Sequence, residues 1–90
     1  MSIVAVKIKI MPDSPEADMI GMEKGVKAML EKQGVKNPHF EIQPIAFGLK
    51  ALIMMFGWPE EKPLEELEEK LKKIKEVGSV QVTDIRRAIG

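Results

Sequence analysis

From Leu49 to Phe56 the chain is apolar at every position except Lys50. That run falls well short of the ~20 residues a membrane-spanning helix needs. It is also too apolar to lie on an open surface. Held between Gly48 and Gly57, it reads as a central β-strand covered at least partly on both sides, with Gly57-Trp58-Pro59 closing it. A central strand requires neighbours. Residues Ile3 to Met11 supply one, since Val4, Val6, Ile8 and Ile10 alternate with Lys7 and Lys9, a period of two that buries one face.

The segments between fall into helices and turns. Pro12-Asp13-Ser14-Pro15 ends the first strand, because two prolines remove ladder donors. A helix then opens between Ser14 and Asp18, either of which can cap it. Met19, Met22, Val26, Met29 and Leu30 form its apolar stripe, and Gly34 is its expected stop. Gly21 and Gly25 each weaken this helix by roughly 1 kcal/mol relative to alanine, which suggests close packing against the sheet. After the Asn37-Pro38 turn, His39 to Gln43 makes a short strand with Phe40 and Ile42 on one face, and residues 44–48 connect it to the long one.

The second helix starts at Pro63 and carries Leu64, Leu67, Leu71 and Ile74 at a/d spacing. Glutamates at 65, 66, 68 and 69 precede lysines at 70, 72, 73 and 75. That order suits the helix dipole and predicts Glu66–Lys70, Glu68–Lys72 and Glu69–Lys73 pairs. Gly78 is the expected end. A last strand from Ser79 to about Ile85 points Val80 and Val82 inward.

The order strand–helix–strand–strand–helix–strand specifies an α+β, ferredoxin-like split β-α-β sandwich. Two right-handed crossovers interleave into a four-stranded antiparallel sheet with both helices on one face and the first and third strands central. With 90 residues, the whole chain 1–90 is expected to be a single domain.

Composition removes several function classes. There is no cysteine, so disulfides and thiolate metal sites are excluded. Fourteen basic and fourteen acidic side chains cancel, unlike the net positive field of a protein built to grip nucleic acid. The single histidine, His39, shares a strand face with Glu41 and finds no further metal-ligand partner in the sequence. No Ser–His–acid set stands out. With Lys7, Lys9 and Lys50 outward, Ala5, Leu52 and Met54 would share the sheet's open face. None is an aromatic that could stack on RNA bases, so that face is either partly solvated or a partner or dimer surface. No cofactor, direct nucleic-acid partner or membrane partner is expected. The start, Met1-Ser2-Ile3-Val4, has no signal-peptide layout and points to the cytoplasm.

Two features remain. Phe47 sits in the connection between strands, where it either folds over the sheet edge or projects as an interface anchor. The tail Thr83-Asp84-Ile85-Arg86-Arg87 ends on adjacent arginines, which either solvate the chain end or reach acidic or phosphate groups.

Three stretches together resemble the archaeal elongation factor 1-beta family: residues 6–12 with Ser14-Pro15-Glu16, residues 44–52, and residues 80–87. The resemblance implies an exchange factor that acts by protein binding, promoting replacement of GDP by GTP on the GTPase elongation factor 1-alpha. Eukaryotic relatives carry a similar loop, Pro-Ile-Gly-Phe-Gly-Ile-Lys-Lys-Leu. Pro44, Ile45, Phe47, Gly48, Lys50 and Leu52 match it, while Ala46, Leu49 and Ala51 depart. By position, Phe47 inherits the loop phenylalanine's contact with the GTPase, with Gly48 and Lys50 beside it. The relatives' C-terminal lysine, which disturbs the magnesium site, aligns with Gly90. Its role does not carry over, and Arg86 or Arg87, close to Asp84, is the cation this chain offers in its place. The alternative is a small-ligand-sensing regulatory module of the same topology. An acylphosphatase-like hydrolase would need an arginine-bearing loop after the first strand, where this chain has Pro12-Asp13-Ser14-Pro15.

Overall fold

A computed structural model describes residues 3–87. Six elements follow in order: β1 (Ile3–Pro12), α1 (Met19–Lys32), β2 (His39–Pro44), β3 (Lys50–Pro59), α2 (Leu64–Lys72) and β4 (Val77–Arg87). The strands lie in the order β2-β3-β1-β4, and every neighbouring pair is antiparallel. This is the α+β, ferredoxin-like arrangement expected, with β1 and β3 central.

The β1–β3 register sets the core. Val6 lies opposite Phe56, Ile8 opposite Met54 and Ile10 opposite Leu52, and directly opposed residues share one face. That face meets Met22, Val26 and Leu30 of α1 and Leu67 and Leu71 of α2. Ile8, Ile10, Leu52 and Met54 are fully buried, and each such side chain contributes roughly 1.5–3 kcal/mol on burial. The expectation that Leu52 and Met54 lie on the open face is therefore corrected. On β3 the open face carries Ala51, Ile53 and Met55 instead. Lys50 is in phase with Leu52, on the helix side, and reaches water only because it begins the strand. A strand apolar on both faces has no alternation from which its phase can be read.

β3 also runs past Gly57 to Pro59, beyond its predicted end. Trp58 is buried opposite Val4. Its indole Nε1–H donates to the Lys62 carbonyl at 3.0 Å, and its ring meets Phe56 edge-on with centroids 5.9 Å apart. The Lys62 ammonium sits 4.8 Å from the indole centroid and donates to the Gln33 carbonyl at the end of α1. Burial of an aromatic with its N–H satisfied outweighs the turn propensity of Gly57-Trp58-Pro59. Pro59 is harmless as the last residue of the strand.

α1 is capped by Asp18, whose carboxylate accepts from the Gly21 N–H at 3.0 Å, while the Glu76 carboxylate accepts from the Asp18 N–H. α2 stops at Lys72, six residues before Gly78, because Ile74 bends inward against α1. A Cβ at Gly25 would lie 3.2 Å from its Cγ2. Gly25 thus serves helix-to-turn packing rather than helix-to-sheet packing. None of the three expected i,i+4 pairs forms among the described residues; Lys72 instead reaches Glu69, one turn back at i,i+3, at 3.5 Å. Both partners are exposed, and such a pair is worth little.

Gly78 belongs to β4, where the register against β1 slips between Met11 and Pro12 and leaves Gly78 as the extra residue of a bulge. A Cβ there would stand 2.7 Å from the Pro12 oxygen and 2.9 Å from the Asp13 Cα. Both are backbone atoms and cannot swing aside. Gly78→Ala should therefore lower the unfolding free energy by about 2 kcal/mol in urea titration; a loss under about 0.5 kcal/mol would mean that β4 leaves β1 here without cost.

A candidate partner-binding surface at two ends of the sheet

Between β2 and β3 the chain reverses through Ala46-Phe47-Gly48-Leu49. The Leu49 N–H donates to the Ala46 carbonyl at 3.1 Å, and the Ile45 N–H to the Leu49 carbonyl at 2.8 Å. Both central residues have positive φ, 60° at Phe47 and 75° at Gly48. Mirror-image turns of this kind match the twist of antiparallel strands, and their first central position normally holds Asn, Asp or Gly. A phenylalanine there costs on the order of 1–2 kcal/mol. Its ring is 95% exposed, so no burial offsets that cost. The fold-back alternative is thereby removed: the ring does not cover the sheet edge. Strain at an exposed aromatic points toward function rather than packing. Ile42 and Ile45 are also exposed on this hairpin and widen its apolar tip. Lys50 follows opposite Pro44 at the start of β3.

At the other end, β4 carries a second bulge. Its register slips between Lys7 and Ile8, with Ile8 opposite Val82 and Lys7 opposite Asp84, leaving Thr83 unpaired. The Thr83 hydroxyl donates to the Lys7 carbonyl at 3.2 Å. The bulge resets the alternation. Val80 and Val82 face the helices before it, and Ile85 does so after it; Asp84 and Arg86 join Lys7 and Ala5 on the open face. The adjacent arginines consequently separate. On the open face, Arg86 donates from Nε to Asp84 Oδ2 at 2.8 Å, whereas Arg87, on the helix side, donates from Nη2 to Glu60 Oε1 at 2.7 Å.

The structure does not bring the two clusters together. Phe47, Gly48 and Lys50 sit where β3 begins. Asp84, Arg86 and Arg87 sit where it ends, since Arg87 opposes Val4 and Val4 opposes Trp58. Lys50 to Trp58 spans about 26 Å at the usual strand rise, in a molecule whose longest extent is 41 Å. Gly90, aligned with the eukaryotic lysine, lies outside the described residues. Sequence reasoning missed Glu60 and the bulge. The step from Val82 to Ile85, three residues where two were due, was the available signal for the bulge; nothing local marked Glu60.

Residues 5–88 match the model of the EF-1 guanine nucleotide exchange domain. The chain belongs to that family. Among curated relatives, elongation factor 1-beta of Methanosarcina acetivorans is 40% identical over 88 residues, covering 97% of this chain and 99% of that protein. The factor of Methanocaldococcus jannaschii is 38% identical over 89 residues, covering 98% and 100%, and that of Methanothermobacter thermautotrophicus 36% over 88 residues, covering 97% and 98%. Membership decides between the readings that topology left open: this chain is a nucleotide exchange factor of translation elongation. No helix among the described residues is long and apolar enough to cross a membrane.

Strain and exposure at Phe47 separate by substitution. Phe47→Ala keeps a Cβ at positive φ, whereas Phe47→Gly does not, so the glycine variant should be the more stable by roughly 1 kcal/mol. Thermal melts of the two variants beside the wild type check this; equal stabilities would mean that the turn is unstrained.

Proposed function

We propose that the whole chain, residues 1–90, works in the cytoplasm as a single exchange-factor domain. In this reading it binds the GTPase elongation factor 1-alpha and promotes release of GDP so that GTP enters, acting as a protein ligand without covalent chemistry of its own. The observation that carries this reading is the strained, solvent-exposed Phe47, held at the tip of a hydrogen-bonded hairpin. An aromatic with few rotatable bonds on a stiff turn loses little entropy on docking and makes an efficient anchor. Gly48 permits the turn, and Lys50 supplies a charge at its base.

The second contact is the end of β4, the segment that carries Asp84, Arg86 and Arg87, where one of the two arginines supplies the cation. Separated from the hairpin by most of the sheet's length, it gives a two-point grip on a partner broad enough to touch both ends. A rigid sheet between the two points converts binding into distortion. Any preference for the empty GTPase over the nucleotide-bound form weakens nucleotide binding by the same factor. The factor itself does not choose the nucleotide; the relative supply of GTP and GDP does.

The test is release of labelled GDP from elongation factor 1-alpha with and without this chain. Saturating factor should accelerate release, and no acceleration would sink the proposal. Phe47→Ala should lose at least about tenfold in exchange efficiency, the scale of a lost aromatic anchor, with its stability within about 0.5 kcal/mol of wild type, as is usual for a surface change. A comparable loss of both would mean that the hairpin is structural.

A further inference from the structure

The proposed contact at the end of β4 leaves open which arginine works on the partner. Three observations separate them. The first is the face, since the bulge at Thr83 sends Arg86 to the open side of the sheet and Arg87 to the helix side.

The second is the electrical setting. Arg86 borders a shallow concavity lined by Ala5, Lys7, Met55 and Asp84, and Lys9 continues the cationic row one step along β1. Arg87 borders a groove that also holds Glu60, Glu61 and Lys62, whose charges with its own sum to zero, whereas Lys7, Asp84 and Arg86 leave one net positive charge.

The third is which guanidinium nitrogen is occupied. Arg86 uses Nε for Asp84, and its terminal Nη1 and Nη2 have no protein partner among the described residues. Arg87 spends Nη2 on Glu60, a residue in the β3–α2 connection, and so ties the strand end to another part of the chain. A guanidinium braced at Nε still offers the fork that pairs with a carboxylate.

We infer that Arg86, oriented by Asp84 on the open face of the sheet, is the cation that meets the partner, and that Arg87 is a clasp holding the end of β4 to Glu60. This rests on the exchange-factor reading above. The group it meets is an acidic side chain of the GTPase rather than a nucleotide phosphate. A contact to phosphate is lost when GDP leaves, so it would stabilise the nucleotide-bound complex and oppose exchange. A contact to a protein carboxylate persists in the empty form, and it favours release by as much as it is stronger there than in the nucleotide-bound form.

The experiment measures GDP release against factor concentration at several salt concentrations, together with direct binding to the nucleotide-free GTPase and thermal melts of each variant. Arg86→Ala should raise the half-saturating concentration about tenfold, flatten its salt dependence and leave the melting temperature unchanged. Arg86→Lys should recover the salt dependence but only part of the affinity, because an ammonium lacks the fork. Asp84→Asn should fall between Arg86→Ala and wild type. Arg87→Ala and Glu60→Gln should each lower the melting temperature slightly and by equal amounts, with no further loss in the double variant, and should keep the wild-type salt slope. Loss of salt dependence in Arg87→Ala, with Arg86→Ala behaving as wild type, overturns this assignment and leaves the exchange function standing. Arg86→Ala weakening binding to the GDP-bound form more than to the empty form would instead place it on phosphate and overturn the carboxylate assignment. A wild-type chain that accelerates nothing overturns both readings.

Discussion

The pairing of β1 with β3 supports everything else in the molecule. Ile8 opposite Met54 and Ile10 opposite Leu52 place four fully buried side chains under both helices, and the remaining strands add to the outer edges of this pair. Antiparallel pairing fixes phase as well as contact, since a slip of one residue would send the whole apolar set of a strand to the other face. With β1 charged on its outer side at Lys7 and Lys9, only one phase is affordable. That phase makes the sheet stiff between its two ends, where the candidate contacts lie.

Both candidate contacts are departures from regular structure at the rims of this rigid centre. At the hairpin the departure is conformational, with a phenylalanine in a backbone region that disfavours it. At the end of β4 it is a bulge, which gives one strand a second phase. Bulges re-aim side chains at the margins of sheets, and here Thr83 does so for every residue after it. Without it Asp84 would face the helices and Ile85 the open side; the bulge keeps the carboxylate out of the apolar layer. The two arginines are separated as a consequence. In the proposed reading the chain acts as a protein ligand, so its function depends on where such projecting groups stand relative to one another. The sheet sets that spacing.

The element order, the topology and the identity of the central strands were legible in the chain because each rests on local periodicity. So was the family, through the likeness of residues 6–12, 44–52 and 80–87 to its members. The phase of β3 was not legible, because Leu49 to Phe56 is apolar on both sides. The end of α2 was misplaced at Gly78 because Ile74 continues the heptad pattern, while in three dimensions it turns in against Gly25. The Gly57-Trp58-Pro59 run predicts a stop, yet Trp58 extends the strand, since an indole with a buried face and a bonded N–H gains more inside than a turn would.

For the candidate site, the residue types belong to the sequence and their disposition to the tertiary structure. Phe47 beside Gly48, and the pair Arg86-Arg87, are visible in one dimension as an aromatic in a turn and a cationic end. Whether the ring is sheltered or projecting depends on what the hairpin passes over. Which way each arginine points depends on a bulge forced by the neighbouring strand's register. Glu60, far from Arg87 in the chain and 2.7 Å from it in space, becomes its partner only when β3 and β4 flank β1. Local propensity acts over a few residues and can announce the elements; side-chain direction and long-range pairing are set by packing constraints that exist only once the sheet has closed on its helices.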